Sequence, residues 1–282
     1  MDQIIKQKGL TGFQLKYIAM FLMVLDHIHY FFEFTGKVPI WFSMLGRLSA
    51  PLFLFCIIEG FTHTHNRKKY FLQIYTIAVA MGIIQFSIMQ FGFSRPDGFY
   101  PQNQMLATFS ILLIILQGFD WCAQKQWVKG LLAIIIPIIL PYFALFVGSR
   151  VPGAWFIISI LHYSILPLHS WIIDGGTFFI LQGILMYLFR KNRKWQALVF
   201  FISTILLYAV MPAVTMPGVT MELLLTVAFE WMGAFSALLM LMYNGQRGNG
   251  SKKLFYWFYP AHVYILYGLS FVLYLILNRQ MH

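Results

Sequence analysis

Apolar residues fall along this chain in ten blocks, at roughly 14–34, 40–60, 70–90, 104–119, 129–147, 153–168, 175–190, 196–216, 221–243 and 254–277, with short polar turns between them. A helix needs about 20 apolar residues to cross the ~30 Å hydrocarbon core of a bilayer. Most of these blocks reach or approach that length, so the pattern predicts a bundle of transmembrane helices. The block at 153–168 is short. It carries His162 and runs out at Pro167 and His169.

Charge between the blocks then sets a topology. Lys6, Lys8 and Lys16 precede or open the first block, Arg67, Lys68 and Lys69 follow the second, and Lys125 and Lys129 follow the fourth. Under the positive-inside rule these turns are cytoplasmic, with the N-terminus inside. Ten complete crossings would put Arg190, Lys191, Arg193 and Lys194 outside, against that rule. The simplest repair leaves 153–168 as a re-entrant or interfacial segment, which is tolerated where protein covers it. The expected fold is an all-α polytopic membrane protein of about nine transmembrane helices plus that one segment, with the C-terminus outside. Ten spans with a violated charge pattern is the alternative.

Composition agrees. Sixty per cent of the 282 residues are hydrophobic, 10% are charged and the mean hydropathy is +0.72. Soluble domains carry about 25% charge, so a soluble enzyme is excluded and residues 1–282 read as a single integral membrane domain. The net charge of +11 is assigned to topology, with membrane lipid as a partner and no nucleic acid. The basic N-terminus leads into a full-length span without a small-residue cleavage site, which predicts a retained first helix. Cys56 and Cys122 make no disulfide framework.

The chemistry concentrates in a few ionisable residues inside apolar blocks. An acid and two imidazoles, Asp26, His27 and His29, lie in the first block. An ionisable group there costs at least about 2.5–3.5 kcal/mol on insertion scales, so it is usually partnered and functional. Lys16 and His27 are eleven steps apart, so both project from one helix face, about 16 Å apart along the axis. Met20 and Met23 line the way between them. Arg47 on the antiparallel second helix reaches the depth of Asp26, its nearest counter-ion. Asp26 has a second possible role in orienting a neighbouring imidazole. Pro51 and Pro260 remove the helical donors to the Arg47 and Tyr256 carbonyls, and His262 falls mid-way along the last block. No metal-ligand spacing and no Gly-rich phosphate loop is present.

Several of these stretches resemble the TraX family: Leu15 to His27, Gly46 to Phe53 continuing through Glu59, Gly60 and Tyr70, Gly183 to Arg190, and Leu254 to His262. The resemblance implies a membrane acyltransferase of the inner membrane, linked to acetylation of conjugative pilin. It is also distantly similar to the larger membrane acyltransferases, whose first helix carries an Arg and a His with ten residues between them. Lys16 and His27 occupy that pattern here, with a Lys that lacks the planar donor geometry of Arg. By that likeness the co-substrate is acetyl-CoA or another acyl-CoA, its phosphates held by Lys16, Arg67, Lys68 and Lys69. The acceptor is a pilin-like protein, a glycan or a lipid. His27 acts as base or transient acyl carrier, Asp26 and Arg47 hold orientation and charge, and His262 assists; no metal is expected. A small proton-coupled transporter using the same Asp26, His27 and Arg47 is the competing reading, and a structural assembly protein is a third.

Overall fold

The computed structural model describes residues 9–279, so Lys6 and Lys8 lie outside the described residues. The described residues are mostly helical: α1 (Gly12–Phe32), α2 (Trp41–Gly46), α3 (Ser49–His63), α4 (Arg67–Gln90), α5 (Met105–Ala123), α6 (Trp127–Gly148), α7 (Trp155–Tyr163), α8 (Gly176–Leu188), α9 (Arg193–Ile205), α10 (Met211–Thr215), α11 (Met221–Thr226), α12 (Ser236–Leu241) and α13 (Lys252–Arg279). Among the described residues seven stretches are long and apolar enough to cross a membrane: Gly12–Thr35, Trp41–His63, Arg67–Gln90, Met105–Ala123, Trp127–Gly148, Arg193–Thr215 and Lys253–Arg279. Two shorter apolar helices, Gly176–Leu188 and Phe229–Leu241, occupy the seventh and ninth blocks. This is an all-α, multi-pass membrane protein.

The chain forms two compact units. The first joins Met1–Thr62 to Leu185–Lys252, and the second joins His63–Ile184 to Lys253–His282.

In the first unit α1 starts on a complete capping box: Gln14 N–H donates to Thr11 Oγ1 at 3.3 Å, and Thr11 N–H donates to Gln14 Oε1 at 2.8 Å. These bonds satisfy otherwise orphaned backbone donors. Leu15, Ala19, Leu22, Met23 and Phe31 form its buried stripe. The α2–α3 pair returns antiparallel, since Asp26 abuts Gly46 while Ser49 Oγ donates to the Ala19 carbonyl at 2.7 Å. The break between α2 and α3 falls at Arg47 and Leu48, four residues before Pro51, where a helical donor is missing. By contrast α13 continues unbroken through Pro260.

The ninth block is not one helix. It splits into α11, a tight 3-10 stretch at Phe229–Phe235, and α12. Trp231 Nε1 donates to the Leu224 carbonyl at 2.8 Å and holds that turn. A Cβ on Gly233 would stand 3.1 Å from the Arg47 carbonyl, so only glycine allows this approach without displacement.

One end of the first unit gathers the basic residues. Gly12 and Phe13 N–H donate to the Gln246 and Arg247 carbonyls at 2.8 and 3.0 Å. The Arg247 guanidinium lies 5.5 Å from the Phe13 ring centre. Arg193 Nη1 donates to Glu59 Oε1 at 3.1 Å and covers the Phe55 and Tyr243 rings. The start of α1, the end of α3 and the start of α9 therefore share one boundary, as the charge pattern requires.

In the second unit α5 and α6 form an antiparallel hairpin whose backbones meet at Gly118 and Gly130. Small residues permit that approach in membrane helices. The segment 149–175 leaves from the end of α6. It returns beside the first turn of α5, where Gly176 N–H donates to Thr108 Oγ1 at 3.0 Å and that hydroxyl donates to the Asp174 carbonyl at 3.4 Å. Since α6 runs antiparallel to α5, both ends of this segment lie at the same boundary. The segment makes no net crossing, and its helix α7, at nine residues and about 14 Å, is too short to span.

Candidate functional site

The first unit holds Lys16, Asp26, His27 and Arg47 on adjacent antiparallel elements. Met20, Met23 and His27 are all buried on α1, His27 to 7% exposure, so the face predicted from spacing does point into protein. Lys16 sits half-buried one turn above Met20 with its Nζ 5.6 Å from the Phe13 ring centre.

The tautomer of His27 follows from its surroundings. Nδ1 lies 2.8 Å from the Met23 carbonyl one turn earlier. A carbonyl only accepts, so Nδ1 carries the proton and the neutral ring keeps its basic lone pair on Nε2. The ring is braced by Phe31, stacked at 5.9 Å, and by the edge of Tyr30 at 6.2 Å.

Asp26 does not orient this imidazole. Consecutive helical side chains point about 100° apart, and Asp26 turns instead to α2. Ser43 Oγ donates to Asp26 Oδ1 at 2.9 Å, Arg47 Nη2 donates to Ser43 Oγ at 2.9 Å, and Nη2 and Oδ1 stand 3.8 Å apart. Arg47 also caps the Phe229 ring at 5.3 Å, while its buried Nε has no partner. The arrangement depends on Gly46, where any Cβ would run into the Asp26 side chain. The bridging hydroxyl of Ser43 went unread in the sequence; its only signal was its place one helical turn before Arg47.

The remaining candidates belong to the second unit. Arg67 Nη1 donates to Asp120 Oδ2 at 2.5 Å and to Gln117 Oε1 at 3.2 Å, so its charge is balanced by protein. Lys68 and Lys69 are exposed. His262 repeats the His27 pattern, with Nδ1 2.8 Å from the Phe258 carbonyl and the ring stacked on Phe258.

Two further histidines are structural. The Leu168 N–H donates to His162 Nδ1 at 3.0 Å, closing the turn after α7, and burial holds this imidazole's pKa down to about 4. His169 pairs with Thr177 Oγ1 at 2.8 Å, and burial lowers it as well. The turn between α4 and α5 carries a clamp that the sequence reading passed over. Arg95 makes two-pronged contact with Asp97 while covering the Phe99 and Tyr274 rings, and its guanidinium holds the Asp97 carboxyl below the usual range. Among the described residues no group of three or more His, Cys, Asp or Glu side chains is placed to hold a metal ion.

The sequence model described as TraX protein matches residues 11–270. A curated relative, "Probable fimbrial assembly protein FimC, serogroup H1" of Dichelobacter nodosus, is 26% identical over 269 residues, covering 91% of this chain and 94% of that protein. No solved structure matches.

Proposed function

The chain belongs to the TraX family, and on that premise we propose that it is a membrane-embedded acyltransferase. It moves an acyl group, acetyl in the simplest case, from cytoplasmic acyl-CoA to an amine or hydroxyl of an acceptor. The observation that carries the reading is the line on α1 from Lys16 past buried Met20 and Met23 to His27. Its tautomer leaves Nε2 basic, with the Asp26–Ser43–Arg47 chain one step around the helix. The fimbrial assembly role in the relative's name favours a pilin-like protein as acceptor over a glycan or a lipid. The charge rule favours a cytoplasmic N-terminus at the inner membrane, and nine crossings from there carry the C-terminus outside.

In this reading Lys16 holds a donor phosphate as a point charge, and the pantetheine arm lies along the methionines, whose flexible side chains adapt to it. As the acceptor nitrogen or oxygen attacks the thioester carbonyl, His27 Nε2 takes its proton. The C–S bond then breaks and the imidazolium returns that proton to the departing thiolate. Arg47 supplies fixed positive charge for the developing oxyanion, and Asp26 with Ser43 keeps it in place.

Purified protein tested with radiolabelled acetyl-CoA, beside His27→Ala, decides the matter. Retained binding with label transfer lost in the variant is expected. A well-folded wild type that binds neither acetyl-CoA nor longer acyl-CoAs overturns the proposal, and ion-coupled uptake by vesicles without acyl-CoA would favour the transporter. His262→Ala is the companion variant: lowered transfer keeps His262 as an assisting group, and unchanged transfer removes it.

A further inference from the structure

Outside the α1 site, the second unit contains a cavity of about 400 Å³ between α4, α5 and α6, closed at its inner end by Ile165, Leu166 and Pro167. Ligand pockets run from about 300 to 1,000 Å³, so it can take one extended chain. Its wall on α6 is Lys129, Leu132, Ala133, Ile136, Pro137 and Pro141, a helical repeat that presents a single face. Two side-chain hydroxyls, of Ser110 and Tyr75, belong to lining residues, and both donate their proton to a backbone carbonyl. Ser110 Oγ donates to the Leu106 carbonyl at 2.8 Å and Tyr75 to the Ile165 carbonyl at 3.0 Å. What remains is hydrocarbon, except at one end.

That end is Lys129, exposed beside Trp121 at the boundary where α5 turns into α6. Arg67, Lys68 and Lys69 open α4 at the same boundary, because α4 packs antiparallel to α5 and Arg67 bonds Asp120. From Lys129 to Pro141 the slot runs twelve residues, about 18 Å, close to the ~15 Å depth of one hydrocarbon leaflet. Leu132 and Ile136 remain about half exposed on its rim (51% and 46%), so the slot is reached sideways, from lipid.

We infer that this slot is a binding site for one acyl chain of an anionic phospholipid of the basic-side leaflet, with Lys129 holding the headgroup phosphate. The dry, leaflet-deep wall selects a hydrocarbon chain, and Lys129 at its mouth, with Lys68 and Lys69 exposed at the same boundary, favours a negatively charged headgroup. Trp121 sits at the depth where indoles favour the interface. The inference uses none of the α1 residues and stands apart from acyltransfer.

The test reconstitutes the full chain in phosphatidylcholine vesicles containing a minor share of phosphatidylglycerol, re-extracts it gently and counts retained lipids by native mass spectrometry. One phosphatidylglycerol per chain is expected. Ala133→Phe, which fills the slot, abolishes retention; Ala133→Leu, a smaller plug, halves it or more if the larger side chain disturbs folding. Lys129→Gln leaves a lipid bound but lowers the preference for phosphatidylglycerol over phosphatidylcholine about fivefold, the usual worth of one basic residue at an anionic surface. Equal retention of both lipids by the wild type, or unchanged retention in folded Ala133 variants, overturns the inference. So does displacement of the lipid by stoichiometric long-chain acyl-CoA but not acetyl-CoA, which would make the occupant a thioester chain.

Discussion

The Asp26–Ser43–Arg47 chain makes a quantitative prediction about how α1 and α2 hold together. At the 3.8 Å separation of Arg47 Nη2 and Asp26 Oδ1, two unit charges in an effective dielectric of 20 attract by about 4 kcal/mol. That figure is a ceiling. The side chains are 34% and 25% exposed, which weakens the attraction, and polar interactions between membrane helices measured by mutant cycles average about 0.6 and reach about 1.7 kcal/mol. Ser43 shifts the balance upward by donating to the carboxylate while accepting from the guanidinium, both at 2.9 Å; hydrogen bonds to charged groups are worth about 1.5–3 kcal/mol. The expected coupling between Asp26→Asn and Arg47→Gln is therefore about 1–1.5 kcal/mol, measured as a double-mutant cycle on reversible unfolding in mixed micelles. In a Ser43→Ala background the coupling falls to about half. If the two substitutions add within the ~0.3–0.5 kcal/mol expected of independent sites, the side chains do not interact and the reasoning fails.

Other outcomes follow from single contacts. Gly82→Leu drives a Cβ into the Tyr163 carbonyl and should unseat α7 from α4, costing about 1–3 kcal/mol as overpacking does and exposing the segment 149–175 to protease; unchanged stability and protection would refute that packing. His162, held near 4 by burial, stays neutral while an unfolded histidine protonates near 6.5. Its contribution is full above about pH 6.5 and is lost as pH falls toward 4, so His162→Asn should flatten the melting temperature across that window. Asp97 is held low by Arg95, so its contribution persists at neutral pH and disappears only as pH falls through its lowered pKa. Asp97→Asn should leave a smaller acid-induced loss. Glu59→Gln leaves the Arg193 guanidinium without its carboxylate and should lower stability by about 1–2 kcal/mol, since the pair is mostly buried yet Gln196 still accepts from Arg193; a neutral result would show the pair to be screened.

Much of this protein was legible along the chain because the bilayer imposes a strong one-dimensional constraint: a backbone in hydrocarbon must be helical and long enough to cross. The all-α class, the long apolar helices and the anomaly at 153–168 follow from apolar run length and from the side on which lysines and arginines fall. So does the shared face of Lys16 and His27, since helical periodicity is local. Contacts between elements were not legible in the same way. The break of 221–243 into two helices depends on Gly233 meeting the Arg47 carbonyl, a neighbour 186 positions away in sequence. Ser43 as the link between Asp26 and Arg47 depends on the rotation of α1 against α2, which Gly46 permits; His27 is held instead by the Met23 carbonyl one turn earlier on its own helix. The Arg67–Asp120 pair balances, within the protein, a charge that the family likeness assigned to a phosphate site. Periodicity names the face a side chain occupies, but only packing decides which group across the gap it meets.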